Sequence, residues 1–220
     1  EAFTLDVTLV PDFGQVVFDQ KILNLSPFEV QFNENRQFFT EGTELFNKAG
    51  LFYSRRIGIQ APYAIYTARL DQNEVLEKEP LPAQLLNASK VSGRMKNGLG
   101  IGVFNAITAE QLGLALDTIT ELNRSVITSP LTNYNVFVLD QNLKNNSSVT
   151  FTNTNVWRAG DFYDANVTGL NFVFNSKNNN FYVNGNSALS SKNSIDNREL
   201  GYRYNFNIGK QRGTWIYGCL

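Results

Sequence analysis

Tyr202-Arg203-Tyr204-Asn205-Phe206-Asn207-Ile208 alternates large apolar or aromatic side chains with polar ones at every step. A period of two belongs to a β-strand with two unlike faces, because successive side chains point to opposite sides of a sheet. The same rhythm recurs upstream. Leu99, Ile101, Val103 and Ile107 alternate with Gly100, Gly102, Ala106 and Thr108. Leu170, Phe172 and Phe174 do so against Asn171 and Asn175, and Phe181, Val183 and Leu189 against Tyr182, Asn184 and Asn186. Each segment runs about nine to eleven residues, the length a tilted strand needs to cross a bilayer.

Short polar segments separate these strands. Lys96-Asn97-Gly98 joins a strand over residues 85–95 to the one that follows, Asn-Gly supplying the positive φ angles of a tight hairpin. Residues 142–148, 176–180 and 210–213 close three more pairs, whereas the connections 109–132, 159–165 and 191–200 are longer. Short and long connections alternating along an antiparallel meander are expected of a barrel with two different rims. Within 109–132, Leu112, Leu114, Leu116 and Ile119 are partly helix-spaced. The β-branched runs Thr118-Ile119-Thr120 and Ser125-Val126-Ile127-Thr128 favour instead a hairpin turning at residues 121–124 and projecting beyond the barrel.

Composition agrees with a sheet-rich chain. All six prolines fall within the first 130 residues, and 19 of the 28 asparagines lie in 131–220, so the last ninety residues can form continuous ladders broken by Asn-rich turns. With no histidine there is no Ser-His-Asp or Cys-His relay and no ordinary histidine-containing zinc site. Cys219 alone forms no internal disulfide and reads as a small apolar residue on a strand. A net charge of −1 offers no footprint for nucleic acid, and no stretch is apolar enough for a spanning helix. The chain opens on Glu1-Ala2-Phe3 without a targeting segment, so it reads as mature or as an excised piece.

A soluble β-sandwich alternates too. Two features favour a membrane barrel. The polar positions are mostly Asn, Ser, Gly and Thr, as in a crowded hydrated lumen. Aromatic residues, among them Tyr134, Trp157, Phe162, Tyr163, Phe181, Tyr182, Tyr202, Tyr204, Trp215 and Tyr217, fall near strand ends, where interfacial girdles form.

The first third is worded differently. Thr4 to Val10 alternate as a strand, with Leu5, Val7 and Leu9 on one face, and end at Val10-Pro11-Asp12-Phe13. Then come Leu23-Asn24-Leu25-Ser26-Pro27-Phe28-Glu29, the charged and aromatic stretch 34–46, and Leu51-Phe52-Tyr53-Ser54-Arg55-Arg56-Ile57-Gly58. With Ala88-Ser89-Lys90-Val91-Ser92-Gly93 and Leu131-Thr132-Asn133-Tyr134-Asn135-Val136, this series resembles a family of uncharacterised outer-membrane β-barrel proteins of Gram-negative bacteria. In that family a family-9-like carbohydrate-binding sandwich commonly precedes the barrel, and some members are labelled membrane-associated hydrolases. The resemblance implies a place in the cell outer membrane, contact with its lipid, and a glycan or other small solute as ligand, with other outer-membrane or periplasmic proteins as further partners. The sandwich is absent here, and Trp215-Ile216-Tyr217-Gly218-Cys219-Leu220 lacks the terminal aromatic of a last barrel strand, so the chain is expected to be the first part of a longer barrel.

The expected fold is therefore all-β: an antiparallel meander forming part of a transmembrane β-barrel, with an irregular, plug-like N-terminal lead-in. Residues 1–81 form the lead-in with its first strand, and 82–220 the barrel strands. Glu34, Arg36, Glu41, Glu44, Arg55 and Arg56, interleaved with Phe32, Phe38, Phe39, Phe46, Phe52 and Tyr53, are the candidate binding residues or the lumenal network that pins the plug. Catalysis by paired carboxylates needs neither histidine nor metal, and Glu34 with Glu41, Asp161 with Asp164 and Asp117 with Glu121 are the pairs available, though none sits in a motif. Asp161, Asp164 and Asn166 offer oxygen ligands without a calcium-loop pattern. No catalytic residue, metal or cofactor is assigned. The functions in view are an outer-membrane barrel that binds or passes a solute or glycan, a cell-surface hydrolase using loop carboxylates, and a soluble all-β binding module.

Overall fold

The computed structural model describes residues 2–11, 31–58, 67, 69–78, 82–210, 212 and 217–219, the last three by backbone only. The turn after Pro11, the segment Leu23 to Glu29, Trp215 and most of the 210–213 turn lie outside the described residues. The architecture is all-β and antiparallel. Nine strands form one sheet: β1 (Ala2–Leu9), β3 (Leu85–Arg94), β4 (Leu99–Thr108), β7 (Thr132–Leu143), β8 (Ser147–Arg158), β9 (Asp164–Asn175), β10 (Phe181–Asn193), β11 (Arg198–Lys210) and β12 (Tyr217–Cys219), hydrogen-bonded in that order. Among the described residues β1 and β12 are its two edges, and no pairing joins them. A second sheet, ordered β2 (Glu74–Leu76), β5 (Gln111–Asp117) and β6 (Asn123–Ser129), joins a strand that precedes β3 to a hairpin inserted between β4 and β7.

The turns form for the reasons the sequence suggests. Gly98, Asn145, Asn146 and Asn179 all adopt positive φ, at 87°, 59°, 55° and 53°. Glycine pays no steric cost there, and asparagine pays less than other residues. Two long connections differ from expectation. Lys192 and Asn193 pair with Glu199 and Arg198, so β10 and β11 extend until only residues 194–197 turn between them. In the inserted hairpin, Leu112, Leu114 and Leu116 keep strand period, which replaces the helix alternative. Thr118-Ile119-Thr120, expected in a strand, is turn: Asp117 Oδ1 accepts the N–H groups of Ile119 and Thr120 at 2.8 and 2.9 Å and ends β5 there.

The two faces of the large sheet are unlike. One is covered, between β3 and β9, by lead-in residues 31–58, built from two one-turn helices, α1 (Gln37–Thr40) and α2 (Glu44–Asn47), and a 3-10 turn at Ser54–Arg56. Phe39, Phe46 and Ile57 pack there against Leu85, Ala88, Phe104, Ala106, Val136 and Val138, and these nine residues form the core. Gly100 and Gly102 lie beneath it: an added Cβ would meet Leu45 at 3.0 Å and Phe46 at 3.1 Å respectively. The small residues alternating along β4 are thus the seat of the lead-in.

The opposite, open face leaves large apolar side chains exposed from β1 through β11, including Leu5, Val103, Phe137, Leu170, Phe174, Leu189, Tyr202 and Phe206. Two expectations about the faces need correction. Tyr134 packs against the core, and Tyr182 shares the face of Asn184 and Asn186, so neither belongs to an outward girdle. Nor are the amides confined to the polar side: Asn105, Asn133, Asn135, Asn153 and Asn166 stand on the open face beyond its apolar residues. Asn105 donates to Asn133 and Asn135 at 2.6 and 2.9 Å, and Asn153 and Asn166 exchange bonds of 3.1 and 3.2 Å.

Candidate functional site

Three charged braces fix the lead-in, one within it and two between it and the sheet, each built from a side chain that an apolar core would otherwise exclude. The first lies within the lead-in. Glu34 Oε1 accepts the Arg36 N–H and Nε–H at 3.0 and 2.9 Å, and Oε2 accepts Arg36 Nη2 at 2.8 Å and the Ser54 hydroxyl at 2.6 Å. The remaining guanidinium donors reach the carbonyls of Ile57 and Ser54 at 2.7 and 2.8 Å, and the group sits 4.2 Å above the Phe39 ring. The stretch containing Glu34 and Arg36 is thereby tied to the Leu51–Gly58 box. Burial raises the Glu34 carboxyl, but the Arg36 fork, the Ser54 hydroxyl, the Arg36 N–H and the Arg36 charge outweigh it and hold the group below the ordinary carboxylate range.

The second brace is Lys90 of β3, buried to 3% exposure. Its ammonium donates to the carbonyls of Phe38 and Glu41, lies 4.6 Å over the Phe38 ring and stands 3.6 Å from Asp6 of β1. The third centres on Asp140 of β7, which is fully buried. Lys48, just after α2, reaches Asp140 Oδ2 at 2.7 Å; Arg94 of β3 pairs with the same oxygen, and Thr150 of β8 donates to Oδ1 at 2.7 Å. One carboxylate therefore fastens the lead-in to three strands.

Of the six residues expected at this site, the structure brings Glu34, Arg36 and Arg55 together, the last 4.0 Å from Glu34. Glu41 is exposed and accepts from Gln37 at 3.0 Å, so it engages the sheet through its carbonyl and not its carboxylate. Glu44 is exposed on α2, and Arg56 lies 5.8 Å from the Tyr53 ring. Sequence reasoning missed Lys48, Lys90, Arg94, Asp140 and Thr150. A signal was available: Lys90, Arg94 and Asp140 occupy the same alternate positions as Gly100, Ala106 and Val138, where charge needs a partner from outside the sheet.

Chemically these carboxylates are occupied. Every oxygen of Glu34 and Asp140 accepts from named donors, which suits anchoring and leaves neither poised as a base. Asp117 closes the β5–β6 turn, and Asp164 accepts the Arg158 N–H at 2.8 Å. Among the described residues no group of three His, Cys, Asp or Glu side chains is placed to hold a metal.

The family model described as a domain of unknown function (DUF5916) matches residues 1–220, and the chain belongs to that family. No curated protein and no solved structure matches it.

Proposed function

We propose that this DUF5916 chain forms part of the wall of a transmembrane β-barrel in the cell outer membrane, with residues 31–58 braced against the inner wall as a plug-like segment. The role that fits is binding or passage of a solute, with glycans as one class. The observation that carries the reading is the contrast between the two faces: Leu5, Val103, Phe137, Leu170, Tyr202 and Phe206 stay between 38% and 81% exposed on one, while buried Lys90 and Asp140 lie on the other beneath the lead-in. An apolar surface that crosses a whole sheet is unfavourable in water and favourable against lipid. Covering the inner wall with a charged and aromatic segment narrows whatever passes it, and the three braces set how firmly that segment stays.

Detergent dependence tests the reading. The chain should stay monodisperse and fold only with detergent or lipid present. A monomer in plain buffer that unfolds cooperatively would overturn it and leave the soluble binding module.

A further inference from the structure

Charge is shared very unevenly between the faces of the large sheet. Along β1, β3, β4 and β7 to β11 the register puts charged side chains on the open face only at Asp164, Arg198 and Lys210, each the first or last residue of its strand. Asp6, Lys90, Arg94, Asp140, Lys192 and Arg203 all take the other face.

Within this open face, which carries charge only at strand ends, apolar side chains give way to polar ones at a level that shifts from strand to strand. On β1 they continue through Phe3, Leu5, Val7 and Leu9. On β3, β4 and β7 the change falls at Val91/Ser89, Val103/Asn105 and Phe137/Asn135, positions that the pairing aligns directly. On β8 and β9 it comes two residues nearer the tight turns, at Phe151/Asn153 and Leu170/Thr168. On β11 it comes two residues nearer again, at Phe206/Tyr204, because Phe206 aligns with Gly185 and Phe172. From β3 to β11 the change drops four residues over six strand steps, and counting Leu9 of β1, which aligns with Asn87, it drops eight over seven. With about 3.4 Å per residue and about 4.8 Å between strands, such a drop makes an angle of about 25° to 40° with the line square to the strands. Strands of a membrane barrel tilt by about 35–45°, so a flat bilayer edge would cross them along a line of this slope. Ile107, Trp157, Leu189 and Leu200 stand beyond the line, as do the amphipathic rings of Tyr202 and Tyr204; the other apolar side chains of the open face lie below it.

We propose that this oblique line is the hydrocarbon–headgroup boundary of a phospholipid bilayer. Apolar side chains on the tight-turn side meet acyl chains, and the amides of Asn105, Asn135, Asn153 and Asn166 lie among the headgroups. The proposal rests on the membrane reading and adds the depth and inclination of each strand. It also explains why neutral amides, and not charges, replace the apolar residues: they satisfy one another laterally at the edge of the low-dielectric layer.

Leu5 and Tyr202 give the sharpest test. They are joined by an unbroken row of paired residues, Leu5-Val91-Val103-Phe137-Asn153-Thr168-Leu189-Tyr202, so a boundary square to the strands would put them at equal depth. The oblique boundary puts Leu5 well inside the acyl region and Tyr202 at the headgroups. Both side chains are exposed, at 65% and 81%, so Leu5→Cys and Tyr202→Cys, each made with Cys219→Ala, should leave the fold intact. An environment-sensitive fluorophore is attached to each variant, and the full chain is reconstituted in phosphatidylcholine vesicles carrying a nitroxide at mid-chain or on the headgroup. Mid-chain lipid should quench the label at 5 at least twice as strongly as the label at 202, and headgroup lipid should do the reverse. Equal depth at the two positions, in a chain that does float with the vesicles, overturns the oblique boundary alone. A chain that stays out of the vesicles, with both labels open to aqueous iodide, overturns the membrane reading and the boundary with it.

Discussion

Phe104 and Phe137 stand on neighbouring strands and face opposite ways, which makes them a controlled pair for asking what holds the lead-in. Phe104 is 2% exposed, and its ring lies 6.4, 6.1, 6.2 and 5.1 Å from those of Phe38, Phe39, Phe46 and Phe52, all from the lead-in. Phe137 is 38% exposed on the open face. Truncating a buried phenylalanine to alanine costs about 3–5 kcal/mol, combining the lost transfer energy, the aromatic contacts and the cavity left behind. Since the partners of Phe104 belong to the lead-in, most of that cost should appear as weaker docking of residues 31–58. At 1.4 kcal/mol per tenfold, Phe104→Ala should raise the undocked fraction on the order of 100-fold or more. Phe137→Ala, made in detergent, should cost about 1 kcal/mol and leave the lead-in docked. Hydrogen exchange read by mass spectrometry separates the two. Peptides from 31–58 should lose protection in Phe104→Ala and in Phe46→Ala, which removes the other side of the same contact, while β8 to β10 keep theirs. Equal loss in Phe137→Ala, or loss spread evenly over the sheet in Phe104→Ala, would refute the assignment of this cluster to the docking interface.

Two further predictions concern the same interface. A Cβ at Gly169 of β9 would overlap the Leu51 side chain, so Gly169→Val should cost about 1–3 kcal/mol, and Leu51→Ala should recover part of it in a double-mutant cycle; simple additivity would show that the two do not meet. Glu34 has a depressed folded pKa, so its contribution is fully present above the ordinary glutamate range, about 4.3, and is lost as pH falls through the lower folded value. Protection of residues 31–58, corrected for intrinsic exchange, should therefore hold steady down to that range and decline below it, and Glu34→Gln should flatten that decline; an unchanged profile in Glu34→Gln would assign the acid sensitivity to another group.

The strands were legible because period two survives almost everywhere from Leu99 to Ile208, and because Asn-Gly and Asn-rich clusters can enter the left-handed backbone region without strain. Strand ends were less so, since they depend on single side chains: Asp117 stops β5 by capping two amides, while nothing stops β10 before Asn193. Of the braces, Glu34 with Arg36 could be read because both lie in one short, densely charged segment. Asp140 with Lys48 could not, as those residues are 92 positions apart and meet only once α2 docks on β7. Tyr134 and Tyr182 were misplaced because nearness to a strand end says nothing about which face a residue takes, and parity within the strand decides that.

The placement of acids also bears on whether loop carboxylates support hydrolysis. A general acid and base need ionisable oxygens free to exchange a proton with substrate. Glu34 and Asp140 spend theirs on guanidinium, ammonium, hydroxyl and amide donors, and Asp117 and Asp164 spend theirs on backbone N–H groups. Glutamine or asparagine at Glu34 or Asp140 should therefore act on turnover, if any is measured, only by loosening the lead-in, and should change protection of residues 31–58 in proportion. An acid working in catalysis would behave oppositely, abolishing turnover while the lead-in stays protected. Glu41, Glu44 and Asp161, exposed in the lead-in and the β8–β9 loop, are among the described acids at which that second pattern is to be sought.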